Sequence, residues 1–308
     1  MKKFGPYLIF FAAMLWATDA PFRTALLKDL PAGLIVLAEH AVDVLVILPI
    51  VFLGRRELKT LRGRDWLALV FIGVCGSALA SVAFTQAFAY VNPSVAILLQ
   101  KLQPIIAISL ASVILKEKLG HKFWLWALLG IFGAYLISFP SFRPQLYPGE
   151  IWNPKLIGVV LALVAALFWG ASTVLGRYAL KDVSFKMVTS LRFLIAFVFL
   201  LGMNYKVLQT GALAHISVKN FLYILVIAMA SGVFSLFLYY KGLQNTKASV
   251  ASIAELGFPL AAVLVNYFVL HVELDNVQVL GIAILLYAVM QLAKHNFQTQ
   301  IEMSLAKD

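Results

Sequence analysis

The chain has 308 residues, 62% of them hydrophobic and only 13% charged, with a mean hydropathy of +0.91. A soluble domain is nearer half apolar and a quarter charged, so this composition excludes an ordinary water-soluble globule and points to a polytopic membrane protein. The net charge of +11 does not imply nucleic acid, because the basic residues fall singly or in short groups between apolar runs, without an aromatic-interleaved basic patch.

Taken in chain order, apolar segments long enough to cross a bilayer are predicted at about 6–27, 32–53, 66–88, 93–115, 121–140, 156–178, 186–205, 220–240, 248–271 and 276–295. The first follows Lys2 and Lys3 and continues through Trp16 into Asp19, Pro21 and Arg23 with no small-residue cleavage pattern, so it is read as a retained helix rather than a secretory signal. Runs this uniformly apolar lack the alternation of barrel strands, and the expected fold class is an all-α polytopic membrane protein of ten transmembrane helices. Most connections are short. The longer ones are the basic "GRRELKTLRGRD" (54–65) and the Pro-rich "FPSFRPQLYPGEIWNP" (139–154), which lies halfway along. The expected organisation is therefore a first unit at 1–140, a linker at 141–155, a second unit at 156–295 and a tail at 296–308.

With the N-terminus placed in the cytoplasm, sixteen Lys and Arg residues fall on inside segments and five, Lys28, Arg143, Lys155, Lys206 and Lys219, on outside ones. The positive-inside bias predicts both termini on the cytoplasmic side of a cell inner membrane. Cys75 is the single cysteine and sits in an apolar run, which excludes an intramolecular disulfide or a cysteine metal cluster.

The two halves resemble each other. "AMLWATDAPFRTALLKDLP" (13–31) aligns with "ALFWGASTVLGRYALKDVS" (166–184) at an offset of 153, pairing Trp16 with Trp169 and Lys28-Asp29 with Lys181-Asp182. "NPSVAILLQKLQP" (92–104) aligns with "KASVASIAELGFP" (247–259) at an offset of 155, matching Ser94-Val95-Ala96 to Ser249-Val250-Ala251 and Pro104 to Pro259. Each half holds five predicted spans, and an odd number inverts the second copy in the membrane, a recurrent plan of secondary transporters.

These motifs, together with "LFWGASTVLGRYAL", "LRFLIAF" and a proline followed about thirteen residues later by glutamate in both halves ("PIIAISLASVILKEKL", "PLAAVLVNYFVLHVEL"), resemble the EamA-type branch of the drug/metabolite transporter superfamily. The resemblance covers about residues 6 to 295. It departs from the family pattern at Glu39-His40, where an Arg-Phe pair is typical. What it implies is a ten-helix bundle around a central cavity that moves small metabolites without ATP hydrolysis. Spans one, three, four, six, eight and nine would line the cavity, two and seven would lie toward its outside, and five and ten would be peripheral.

Charges at the bilayer centre are costly and usually meet a partner or a water-filled path. Asp19 and Arg23 are four apart and can pair on one helix face, either as a self-neutralised unit or as a gate or anchor for a solute carboxylate. Glu39, His40 and Asp43 are candidates for proton coupling, because close carboxylates and an imidazole titrate in a useful range; the structural alternative pairs Glu39 with Arg192. Lys101 lies too far from its helix end to snorkel. With Gln100, Gln103 and the repeat-related Glu255 it forms the candidate midplane site, since Pro104 and Pro259 each free a carbonyl one turn earlier. An ammonium and a carboxylate facing one cavity suit a zwitterion; the alternative is a Lys101–Glu255 bridge holding the halves together. Trp16, Trp169, Phe84, Tyr239 and Tyr240 are candidate aromatic walls or packing anchors. Gly73, Gly76, Ser77, Ser81, Gly170, Ser172, Gly176, Ser231, Gly232 and Ser235 read mainly as close helix packing, and Glu117 and Glu273 as interfacial caps or charge partners at helix ends.

No "GxxxxGK[ST]", "HExxH" or "GxSxG" occurs and the five histidines are scattered, so neither an enzyme nor a cofactor or metal is expected. Nor is there a ring of like residues to indicate a channel. The function expected is secondary transport of small metabolites, most simply export of amino acids or related zwitterions; a nucleoside, vitamin or drug is the alternative solute. The partners are a small-molecule substrate and the lipid bilayer, and the chain is a monomer or homodimer.

Overall fold

A computed structural model describes residues 4–91, 93–138, 141, 155–212, 216–261, 264 and 275–305, and among these every regular element is a helix. In order they are α1 (Gly5–Trp16), α2 (Ala20–Leu26), α3 (Ala32–Leu53), α4 (Arg55–Leu58), α5 (Gly63–Ala87), α6 (Pro93–Gln100), α7 (Gln103–Ile114), α8 (His121–Ser138), α9 (Lys155–Ala179), α10 (Phe185–Met203), α11 (Tyr205–Gln209), α12 (Val218–Leu243), α13 (Ala248–Ala254) and α14 (Asn276–Leu305). Six of them, α3, α5, α9, α10, α12 and α14, contain stretches long and apolar enough to cross a membrane, and shorter apolar helices lie beside them. Large apolar side chains such as Leu53, Leu67, Val113 and Val218 point outward. In water such a surface would aggregate, whereas lipid solvates it. The protein is thus a multi-pass membrane protein.

Several expected spans are not single helices. The first is split into α1 and α2 by tight turns at Ala17–Asp19, where Pro21 in the first turn of α2 offers no N–H to the preceding turn. The fourth breaks into α6 and α7 at Lys101–Leu102, with Pro104 again in the first turn after the break. The ninth turns at Glu255–Leu256, where the Phe258 N–H donates to the Glu255 carbonyl at 3.2 Å, and is helical again over 257–261. Most of the span beyond Ala261, with His271 and Glu273, lies outside the described residues, as do His215, nearly all of the 141–155 linker and the tail beyond residue 305.

Two helices are widened rather than broken. In α5 the residues Ile72–Leu79 and in α12 the residues Ile227–Phe234 are π-helical. Both stretches are eight residues long and start 155 positions apart (227 − 72). A π turn takes an extra residue and is frequently found at functional sites.

Packing places the remaining elements around these. Helix α8 lies along α14, α1 along α12, α3 along α10, and α9 crosses α5, α6 and α7. Gly133 and Gly281 let the α8 and α14 backbones touch: a β-carbon at 133 would stand 2.8 Å from the Leu285 nitrogen and 2.9 Å from the Gly281 oxygen. The apolar core, including Ile9, Leu69, Ile72, Phe193 and Tyr240, surrounds a central chamber.

Candidate functional site

The chamber encloses about 920 Å³ of space not occupied by atoms, part of it open to solvent. Its lining brings together Trp16, Asp19, Arg23, Glu39, His40, Asp43, Phe84, Gln100, Gln103, Trp169, Tyr239 and Glu255, but neither Lys101 nor Tyr240. Helices α3 and α10, expected toward the outside of the cavity, instead turn Glu39, His40, Asp43 and Arg192 onto its wall. Among the described residues α8 and α14 contribute nothing to it.

Arg23 organises one side. Its Nε donates to Asp19 Oδ2 at 2.7 Å, its Nη1 to Glu39 Oε1 at 2.8 Å and to Thr85 Oγ1 at 3.1 Å, and its Nη2 to Glu39 Oε2 at 3.0 Å. The fork-to-fork geometry with Glu39 is the strong form of such a pair. The Asp19–Arg23 pair expected from the four-residue spacing is present. The expected Glu39–Arg192 pair is not: α2 and α5 deliver Arg23 and Thr85 to Glu39, while Arg192 is occupied elsewhere.

Arg192 donates from Nε to Ser77 Oγ at 3.1 Å, from Nη1 to Tyr240 Oη at 3.1 Å and from Nη2 to the Gly76 carbonyl at 2.8 Å. Gly76 and Ser77 belong to the π-helical stretch of α5. His40 lies on the same serine, with Nε2 3.1 Å from Ser77 Oγ and Nδ1 2.9 Å from the Val36 carbonyl. A neutral ring protonated on Nδ1 satisfies the whole chain: Arg192 donates to Ser77, Ser77 to His40, and His40 to Val36. Residues 77 and 76, which the sequence suggests only as small packing positions, are thus polar partners as well.

On the opposite wall Glu255 accepts three bonds, from Tyr239 Oη at 2.8 Å and Thr173 Oγ1 at 3.2 Å on one oxygen and from Gln103 Nε2 at 2.5 Å on the other. Trp16 Nε1 donates to Ser235 Oγ at 2.8 Å, and its ring lies 5.3 Å from that of Tyr239. Phe84 and Trp169 meet edge-on at 5.0 Å. Nothing in the sequence singles out Thr85 or Thr173, since a threonine in an apolar helix commonly satisfies itself on its own backbone.

Lys101 does not meet Glu255. The turn at Lys101–Leu102 breaks the helical periodicity, so that Gln100 and Gln103 reach the chamber while Lys101 lines a smaller adjoining cavity, its Nζ 4.6 Å from the centre of the Phe258 ring. That cavity shares Trp16, Gln100, Gln103, Glu255 and Phe258 with the main one.

Three lining polar atoms are buried without a hydrogen-bond partner among the described residues: Asp43 Oδ1, Gln100 Oε1 and Ser172 Oγ. Among the described residues no three His, Cys, Asp or Glu side chains gather as metal ligands.

At one end of the bundle, two carboxylates cap second-half helices. Glu57 accepts from the Ser184 backbone N–H and, at 2.8 Å, from its hydroxyl. Glu117 accepts from Ala248 N at 2.8 Å, Ser249 N at 3.2 Å and Ser249 Oγ at 2.6 Å, so its expected capping role is observed. Arg62 and Arg64 both reach Asp182 nearby.

Comparison with known proteins follows the same lines. The model of the EamA-like transporter family matches the chain twice, over residues 3–139 and 156–293. The riboflavin transporter ImpX of Fusobacterium nucleatum subsp. nucleatum is 30% identical over 95% of this chain and 98% of its own length. Protein PecM of Dickeya dadantii is 24% identical over 91% and 89%, and the uncharacterized transporter YetK of Bacillus subtilis 21% over 92% and 84%. One solved crystal structure superposes with a TM-score of 0.70 over 93% of this chain and 95% of its own, at 16% identity, a likeness of fold alone.

Proposed function

Because the chain belongs to the EamA-like transporter family, we propose that it is a secondary carrier of a flat, hydrogen-bonding heteroaromatic metabolite, riboflavin or a close analogue, which it passes through the central chamber by alternating access. The observation that carries this reading is the chamber itself, which sets Trp16, Phe84, Trp169 and Tyr239 beside the polar side chains of Asp43, Gln100, Gln103 and Ser172. Aromatic walls suit a stacked ring system, and hydrogen-bonding groups among them fix its orientation. The relative named a riboflavin transporter supports the same class.

The amino-acid expectation required a free ammonium and a free carboxylate in one space. Lys101 stacked on Phe258, and Glu255 held by three donors, leave that pair engaged, which favours the heteroaromatic solute. On this reading the two family matches are two inverted five-helix units at 1–140 and 156–295, in the inner membrane with both termini cytoplasmic. The matched π-helical stretches and the matched turns after Gln100 and Ala254 support the repeat.

The test is counterflow in proteoliposomes preloaded with riboflavin, thymidine or a mixture of leucine, lysine and glutamate. Exchange of external labelled riboflavin against internal riboflavin is expected. Exchange of the amino acids without riboflavin movement would overturn the reading, and the sidedness of net flux gives the direction.

A further inference from the structure

The charged groups of the chamber divide into those the protein has satisfied and one it has not. Arg23, Glu39, Arg192, His40 and Glu255 are each held by side chains or carbonyls of neighbouring helices. Asp43 is only 2% exposed, lines the chamber and has neither a hydrogen bond nor an ion pair among the described residues; its Oδ1 is packed inside the protein, and of its two oxygens only Oδ2 is left for a solute to reach. A buried acceptor left unmade costs about 1–3 kcal/mol, so its retention points to a partner that is not part of the chain.

The surroundings define that partner. The Asp43 carboxylate lies flush against Gly232 in the π-helical stretch of α12, where a β-carbon would stand 2.6 Å from Oδ1. Phe193, Ile227 and Ala228 complete an apolar wall on the same chamber. An N–H at the edge of a flat ring brings a donor alone. If that N–H is an imide, its flanking carbonyls need donors, and Arg192 on the same chamber uses three of its five N–H groups on protein acceptors, leaving two.

We propose that Asp43 is the specificity-determining acceptor of the chamber, taking the imide N–H of the solute's ring while Arg192 donates to a neighbouring carbonyl. This rests on the flavin-class reading above and assigns which edge of the ring is recognised.

The experiment measures equilibrium binding of riboflavin and of 3-methylriboflavin, in which the imide N–H is replaced by N–CH3, to the full chain in nanodiscs. The proteins are wild type, Asp43→Asn and Asp43→Ala, each checked for folding by thermal unfolding. Wild type should favour riboflavin about tenfold or more, the cost of leaving a buried acceptor unpaired. In Asp43→Ala the preference should fall to within about twofold by weakening riboflavin, while Asp43→Asn, which keeps an acceptor oxygen, should retain part of it. A wild type that does not distinguish the two ligands, or an Asp43→Ala variant that keeps the wild-type ratio, overturns the assignment and leaves the flavin reading standing. Folded wild type that binds neither ligand removes the flavin reading and this assignment with it. A merely structural aspartate would lower both affinities together and leave the ratio unchanged, which also overturns the proposal.

Discussion

Replacing Arg23 by methionine isolates the energetics of the largest buried ion cluster. Arg23, Asp19 and Glu39 are all under 10% exposed. The guanidinium supplies four hydrogen bonds, three of them to carboxylate oxygens at 2.7–3.0 Å. Methionine fills much of the volume of the arginine stem but donates nothing, so Asp19 and Glu39 lose their counter-charge at positions where both side chains are largely buried. Removing one partner of a buried pair typically costs about 3–5 kcal/mol, and the bidentate geometry places Arg23→Met toward the upper end. The companion variant Asp19→Leu/Arg23→Met/Glu39→Met removes the whole cluster and with it the stranded charges, and such replacements are commonly neutral or stabilising by about 1–4 kcal/mol. Unfolding in mixed micelles, compared at one detergent composition, measures both. The single variant should be clearly less stable than wild type, and the triple variant should recover most or all of the loss. If Arg23→Met is as stable as wild type within about 0.5 kcal/mol, or if the triple variant is as unstable as the single, the cluster is not a closed electrostatic unit.

The remaining predictions concern the other wall, the caps and the helix contacts. Glu255→Gln gives residue 255 one acceptor where three donors converge, and should cost about 1–3 kcal/mol; adding Gln103→Glu reverses that donor–acceptor pair and should restore thermal stability. Glu117→Ala removes the acceptors of Ala248 N, Ser249 N and Ser249 Oγ, and should cost about 0.5–2 kcal/mol, visible as faster hydrogen exchange confined to the first turn of α13. Gly133→Val forces a side chain between the α8 and α14 backbones, and should destabilise by about 1–3 kcal/mol or more, read as a lower unfolding midpoint. Solute affinity should be unchanged, because neither helix lines the chamber among the described residues.

The positions of the candidate residues were legible because lipid makes polar side chains conspicuous. Asp19, Glu39, His40, Asp43, Gln100, Gln103 and Glu255 each interrupt an apolar run, and the fold gathers all of them on one chamber. Their partners were not legible. The repeat offset relates Glu39 to Arg192 by position, yet pairing depends on which helix lies alongside, and α2 brings Arg23 there first. A continuous helix over the fourth span puts Lys101 on the chamber, and two non-helical residues at the break are enough to turn it aside. Prolines at 21, 104 and 259 signalled that such breaks were available, although the side chain each would redirect depends on the turn that forms. The π-helical stretches had only a run of small residues to mark them, since one extra residue per turn leaves no fixed pattern in composition.

Those irregularities are where the polar chemistry resides. Besides the break at Ala17–Asp19, each half has one widened helix, at Ile72–Leu79 and Ile227–Phe234, and one interrupted helix, at Lys101–Leu102 and Glu255–Leu256. The widened stretch of α5 gives its Gly76 carbonyl and Ser77 hydroxyl to Arg192, and that of α12 presents the bare backbone of Gly232 to Asp43. The two interruptions bring Gln103 and Glu255 into contact across the chamber. Backbone that departs from the α-helix is tolerated at membrane depth only where protein or a hydrated space satisfies it, so four such departures converging on one cavity reflect a common cause. A polar solute needs exposed carbonyls, close backbone approach and side chains directed inward, and a regular apolar helix supplies none of these. The regular helices α8 and α14, packed on each other through Gly133 and Gly281, support the chamber without entering it. Straightening either interrupted helix would return its polar residues to the register of a continuous span. Pro104→Ala should therefore lengthen the α6–α7 helix, swing Lys101 relative to Gln100 and Gln103, and weaken solute binding without lowering the unfolding midpoint. A variant that binds as wild type while showing a continuous helix by amide exchange across 100–104 would refute the link between the break and the site.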